Sequence, residues 1–109
     1  MRRHHAARTL GGLLTLAAAW SVMAQPVTHT VVIAEMQFSP RSLSVRRGDT
    51  VVWINKDFFP HNVTAQQGGT FASPELAPNQ SWKYVAVEAG SFIYVCTLHP
   101  TMKAMLQVK

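Results

Sequence analysis

The chain has 109 residues, with ten Lys and Arg against five Asp and Glu and a formal net charge of +5. The excess sits at the front: Arg2, Arg3 and Arg8 precede Leu10, and from Gln25 onward seven cationic residues meet five anionic ones, a net charge of +2. A chain this short holds one domain, so small a net charge gives no support for nucleic-acid binding, and a single cysteine excludes an internal disulfide.

Residues 1–24 read as a secretory signal. A basic start that includes His4 and His5 is followed by an apolar run from Leu10 to Val22. Val22-Met23-Ala24 then offers small residues for cleavage before Gln25. The run is short for a membrane span and no second one follows. An uncleaved N-terminal anchor is the alternative, against which the Ala24 site argues. Arg2-Arg3 permits twin-arginine export, but the residues after it favour general secretion. The mature domain is then 25–109. A domain this small buries a limited core and is often helped by a staple, and with no disulfide available a metal is the staple that remains.

From there the pattern is of short strands broken by turns, with no long helical period and no repeat. Thr30 to Phe38 is β-rich and ends at Pro40. Ser42 to Val45 alternates, and Arg47-Gly48-Asp49 turns the chain into Thr50 to Asn55, with Val51 and Trp53 on one face. A loop follows to Pro60, then a short strand from His61 to Thr64. Gln66-Gln67-Gly68-Gly69 turns, and Ser73-Pro74 and Ala77-Pro78-Asn79 mark a loop. Ser81 to Val87 places Trp82, Tyr84 and Ala86 on one face. Ser91 to Cys96 and Met105 to Val108 complete the set. Seven or eight short strands predict an all-β sandwich or barrel.

Chemistry concentrates near the C-terminus, in Cys96-Thr97-Leu98-His99-Pro100-Thr101-Met102. A thiolate, an imidazole and a thioether suit copper, and two His, one Cys and a weak Met make the ligand set of a blue-copper electron-transfer centre. His61, after Phe59-Pro60, can supply the second imidazole from a neighbouring strand end. Period two puts Phe92, Tyr94 and Cys96 on one face, and the two large rings predict that this face points inward. Each residue alone also has a plain reading: a buried Cys as a small hydrophobe, His61 as a loop residue, Met102 and Met105 as core filler. Their conjunction favours the metal.

The chain resembles the cupredoxins, and within them the amicyanin branch. The resemblance spans about Met36 to Lys109. It rests on Met36-x-Phe38-x-Pro40, Gly48-Asp49-Thr50-Val51-Val52-Trp53-Ile54-Asn55, Pro60-His61-Asn62-Val63, Glu88-Ala89-Gly90 and Cys96-Thr97-x-His99-Pro100-x-Met102. It implies a Greek-key β-sandwich of seven to eight strands and one type 1 copper ion held by His61, Cys96, His99 and, axially, Met102. Met105 is the rival for the axial place, and its position at the expected start of the last strand reads it as core or rim. The resemblance also implies that the Asn62 side chain bonds near Thr97 while its backbone N–H donates to the Cys96 sulfur.

Two residues depart from the family. Ala86 stands where a large aromatic is usual, leaving space for Trp82 or Trp53. Leu98 stands where proline is usual, and its N–H offers a second hydrogen bond to the thiolate. That bond would raise the reduction potential above that of a Leu98→Pro variant.

The function expected is a periplasmic electron carrier cycling Cu(II)/Cu(I) between redox partners, not an enzyme: nothing in the chain offers a substrate pocket, a second copper or an acid–base pair. A copper chaperone or resistance protein is the alternative, for which Met-rich or His-rich tracts would be needed; a detached multicopper-oxidase or nitrite-reductase domain would need further ligands. Partners would dock transiently near the His99 edge, on a patch of Leu98, Pro100 and, unless they are buried, Phe58, Phe59 and Pro78. The resemblance implies an amine dehydrogenase and a c-type cytochrome as those partners. The protein is expected to be a monomer with no stable membrane insertion once the signal is cleaved.

Overall fold

A computed structural model describes residues 11–14 and 24–109. The signal expected at 1–24 lies outside the described residues, apart from 11–14 and Ala24. Among the described residues no helix is long and apolar enough to cross a membrane.

Eight strands form: β1 Thr28–Ala34, β2 Gln37–Ser39, β3 Ser42–Val45, β4 Thr50–Asn55, β5 Thr64–Ala65, β6 Ser81–Val85, β7 Gly90–Cys96 and β8 His99–Val108. They lie in two four-stranded sheets, in the orders β2-β1-β4-β6 and β3-β8-β7-β5. β1 runs parallel to β4, from Thr28 opposite Thr50 to Ile33 opposite Asn55. β3 runs parallel to β8, and the remaining pairs are antiparallel. The expected all-β sandwich is the architecture found.

Alternation builds the core. Val31, Ile33, Val51 and Trp53 from one sheet face Phe92, Tyr94, Leu106 and Val108 from the other, all buried. Trp53 is the centrepiece: it meets Tyr94 edge-on at 5.6 Å between centroids and lies 5.7 Å from Trp82. Offset and edge-on aromatic pairs of this kind add to what their buried area contributes. Burial pushes the Tyr94 phenol up to about 12, against a lowering contribution from Trp53. Ala86 is itself buried, with Trp82 half-buried beside Trp53.

Four boundaries differ from expectation. The strand expected over Thr30 to Phe38 is a hairpin, broken at Glu35 and Met36, whose φ angles are 52° and 58°. Neither residue favours the left-handed region, so sequence gave no turn signal; Met36 N–H donates to Asp57 Oδ2 at 3.0 Å, a tertiary contact that holds the turn. The strand expected from His61 to Thr64 is reduced to an isolated bridge between His61 and Leu76 and the two residues of β5. β6 stops at Val85.

β8 begins at His99, not Met105. Only Thr97 and Leu98 join it to β7, and Cys96 pairs directly with His99 next to a bulge at Val95/Cys96. Pro100, which lacks a ladder donor, is tolerated because it stands at the front of the strand.

One polar clamp closes the pole where β1 and β4 begin. Asp49 accepts hydrogen bonds from Val27 N–H and Arg46 N–H and pairs with His29 Nε2, each at 3.0 Å. The Val27 N–H leads, with His29 and Arg46 N–H, in lowering its carboxyl to about 2 despite burial. Gly48, at φ 93°, makes the adjacent turn in a region that side chains avoid.

Candidate metal centre

β4 and β7 deliver the chain to the other pole. β7 ends with Cys96 fully buried, as the period-two reading required. β4 ends at Asn55, also fully buried, and Asn55 shapes the loop that follows. Its Nδ2 donates to the carbonyls of Phe59 at 2.8 Å and Leu76 at 3.0 Å, and its Oδ1 accepts from Asp57 N–H at 2.9 Å. His61 then enters the interior, locked by reciprocal backbone bonds with Leu76.

Inside, His61 Nδ1 lies 3.6 Å from Cys96 Sγ. Its other ring nitrogen, Nε2, is 2.9 Å from Asp57 Oδ2. Burial works to raise the Asp57 carboxyl, but hydrogen bonds from His61, Met36 N–H and Phe58 N–H outweigh it and hold the group below the usual carboxylate range. Of the two ring nitrogens, Nε2 thus faces the carboxylate and Nδ1 faces the sulfur.

The second imidazole comes from across the hairpin. His99, half-buried, has its ring centroid 5.1 Å from that of His61 and 6.4 Å from that of Phe59. It stands beside the His61–Cys96 pair as a ring neighbour. Met102 is buried in the same apolar cluster as Cys96, while Met105 is 39% exposed opposite Ile93. Of the two thioethers, only that of Met102 faces inward.

Asn62 ties the two segments together as expected. Its backbone N–H donates to Cys96 Sγ at 3.4 Å, its Nδ2 donates to Thr97 Oγ1 at 2.7 Å, and its Oδ1 accepts from Thr97 N–H at 3.0 Å. The bond expected from Leu98 N–H to the sulfur is not formed: among the described residues, Asn62 is the backbone donor that Cys96 Sγ has. The Leu98 side chain turns outward, 47% exposed. Phe58, at 93%, and Phe59, at 54%, are not buried against the loop. With Pro100 they leave an apolar surface next to His99.

The donor chemistry fits copper. A thiolate and a thioether are soft ligands, imidazole suits copper in both oxidation states, and the walls around Cys96 and His61 exclude water. Sequence reading brought His61, Cys96, His99 and Met102 to one pole. It missed Asp57 and Asn55, for which the only available signal was the i, i+4 spacing of Asp57 and His61, common in loops and uninformative alone.

Residues 25–109 match the family model for copper binding proteins of the plastocyanin/azurin family. The chain belongs to that family. This cupredoxin is 36% identical over 81 residues to amicyanin of Paracoccus denitrificans, a match covering 71% of this chain and 62% of that protein. It is 32% identical over 101 residues to amicyanin-alpha of Methylorubrum extorquens, covering 88% and 85%. The structure of a Cu(I) amicyanin mutant superposes with a TM-score of 0.71 at 34% identity, over 75% of this cupredoxin and 82% of that chain.

Proposed function

We propose that this cupredoxin is an exported, monomeric type 1 copper electron carrier, with His61, Cys96 and His99 as the principal ligands and Met102 as the weak axial one. The observation that carries the reading is the buried approach of His61 Nδ1 to the Cys96 sulfur at 3.6 Å, beside a second imidazole that reaches toward an apolar surface. Copper, when bound, supplies a one-electron Cu(II)/Cu(I) couple.

The chain supplies the rest. Cys96 gives up its proton to act as a thiolate ligand. Asn62 N–H and the Thr97 bonds hold the sulfur and the two ligand segments in register, so little need move when an electron arrives. His99 stands between the buried donors and the surface of Leu98, Pro100, Phe58 and Phe59, which suits brief docking through a small interface. The likeness to amicyanins supports an amine dehydrogenase and a c-type cytochrome as donor and acceptor. Residues 1–24 act as the signal, and the mature protein begins at Gln25 in the periplasm.

Loading the purified protein with Cu(II) tests this. An intense visible thiolate-to-copper band, with reversible one-electron cycling and full retention of the metal, is the expected result. A colourless adduct, or release of copper on reduction, would replace the carrier with a copper-handling protein.

A further inference from the structure

A cavity of about 560 Å³ opens at the clamp pole, away from the donor set. Its walls are residues 24–27 and 44–47, and Asp49 ties them together through Val27 N–H and Arg46 N–H. The cleavage expected before Gln25 takes only Ala24 from this lining. Asp49 is the one carboxylate among the walls, and both its oxygens are engaged: Oδ1 with Val27 N–H, Oδ2 with Arg46 N–H and His29 Nε2. Arg46 and Arg47 are exposed, and among the described residues neither guanidinium makes an ion pair. Their backbone is held, because Arg46 N–H bonds to Asp49 and Arg47 N–H donates to the Lys109 oxygen at 3.2 Å. Glu88, on the turn between Ala86 and Gly90 at the same pole, is not part of the walls.

We propose that this groove binds a phosphate group, borne by a lipid headgroup or by a soluble phosphate ester. Two adjacent guanidinium groups offer planar forks that match phosphate oxygens bidentately. The cavity is of a size that holds a small organic ligand and not merely an ion. Pro26, Val27 and Val45 line it beside the arginines, where the carbon part of an ester can rest. A pinned backbone under both arginines lowers the ordering cost of binding. The walls also adjoin the end of the apolar run from Leu10 to Val22, so in the proposed export this pole is the one nearest the bilayer, where phosphate headgroups lie. Two merely solvated arginines would bind anions no better than Arg41 and Lys103, which lie outside the walls. The site is independent of the metal.

Two probes test this on the purified protein: glycerol 3-phosphate, followed by amide NMR shifts, and co-sedimentation with phosphatidylcholine vesicles made with or without phosphatidylglycerol. Saturable shifts are expected at residues 25–29 and 44–49, with binding that weakens as salt is raised. The Arg46→Ala, Arg47→Ala double variant keeps both backbone N–H groups and its melting temperature, and binds about tenfold or more weakly. The charge-matched Arg41→Ala, Lys103→Ala variant binds as the wild type does. Retention on phosphatidylglycerol vesicles that the Arg46, Arg47 variant loses assigns the lipid headgroup. Binding of glycerol 3-phosphate without vesicle retention assigns a soluble ester. Binding of neither probe overturns the proposal, as does an equal loss in the two double variants or none in the first.

Discussion

Met105 lies three positions after Met102, an odd offset, so on a regular strand they face opposite sides of the sheet. The inward series of β8 is Met102, Ala104, Leu106 and Val108, and Met105 belongs to the outward one. His99, also three residues from Met102, is out of phase with that series and sits half-buried at the pole, where the bulge disturbs the ladder. Met102→Gln is therefore expected to change the copper spectrum strongly, while Met105→Leu leaves it unaltered; visible absorption and EPR of the two loaded variants check this, and the reverse outcome would move the axial ligand to Met105. Leu98 has a different importance from the one its N–H suggested. The Leu98 side chain joins the surface beside His99 and leaves the sulfur to Asn62.

Strands with clean alternation were legible in the sequence. Ser42 to Val45 and Thr50 to Asn55 form with the expected limits, and Phe92, Tyr94 and Cys96 point inward as their period demanded. What was hidden depended on contacts distant in the chain. Glu35 and Met36 turn because Asp57 captures the Met36 N–H, and β8 reaches back to His99 because Cys96 faces it across a two-residue link. The proposed ligand set stood out in the sequence because soft donors are rare and their types are diagnostic; Asp57 did not, since a carboxylate four residues from a histidine has many uses. The clamp at the opposite pole carries a prediction of its own. Asp49 titrates near 2 when folded, below its ordinary 3.8. The unfolded chain therefore takes up this proton first as pH falls. The stabilisation from Asp49 is complete above about 3.8 and is lost as pH drops toward about 2. Asp49→Asn should be less stable than wild type at neutral pH, with the gap closing across that window. Urea unfolding at a series of pH values measures it, and a gap that stays constant with pH would show that the clamp acts through shape and not charge.

At the scale of the whole molecule, the two poles divide the work: a polar clamp at one, the donor set and its apolar surface at the other. Residues 25–109 carry a net charge of only +2, which offers little long-range steering and leaves the apolar surface as the docking face of the proposed carrier. Leu98→Asp, placed at the centre of that surface, should slow bimolecular electron exchange by about tenfold or more, with the visible spectrum and melting temperature unchanged; stopped-flow kinetics with a c-type cytochrome would show it. An undiminished rate would place docking elsewhere. Finally, the sheet order has a consequence for how the protein is made. β8 follows the other seven described strands in the chain, yet it lies in the interior of its sheet between β3 and β7. Without residues 99–108, β3 has no partner and β7 has only the two residues of β5, and two of the four proposed donors are missing. A nascent chain halted short of that point has one whole sheet and no complete second one to cover it. Assembly waits for the ten residues of β8, and the metal pole closes only behind them.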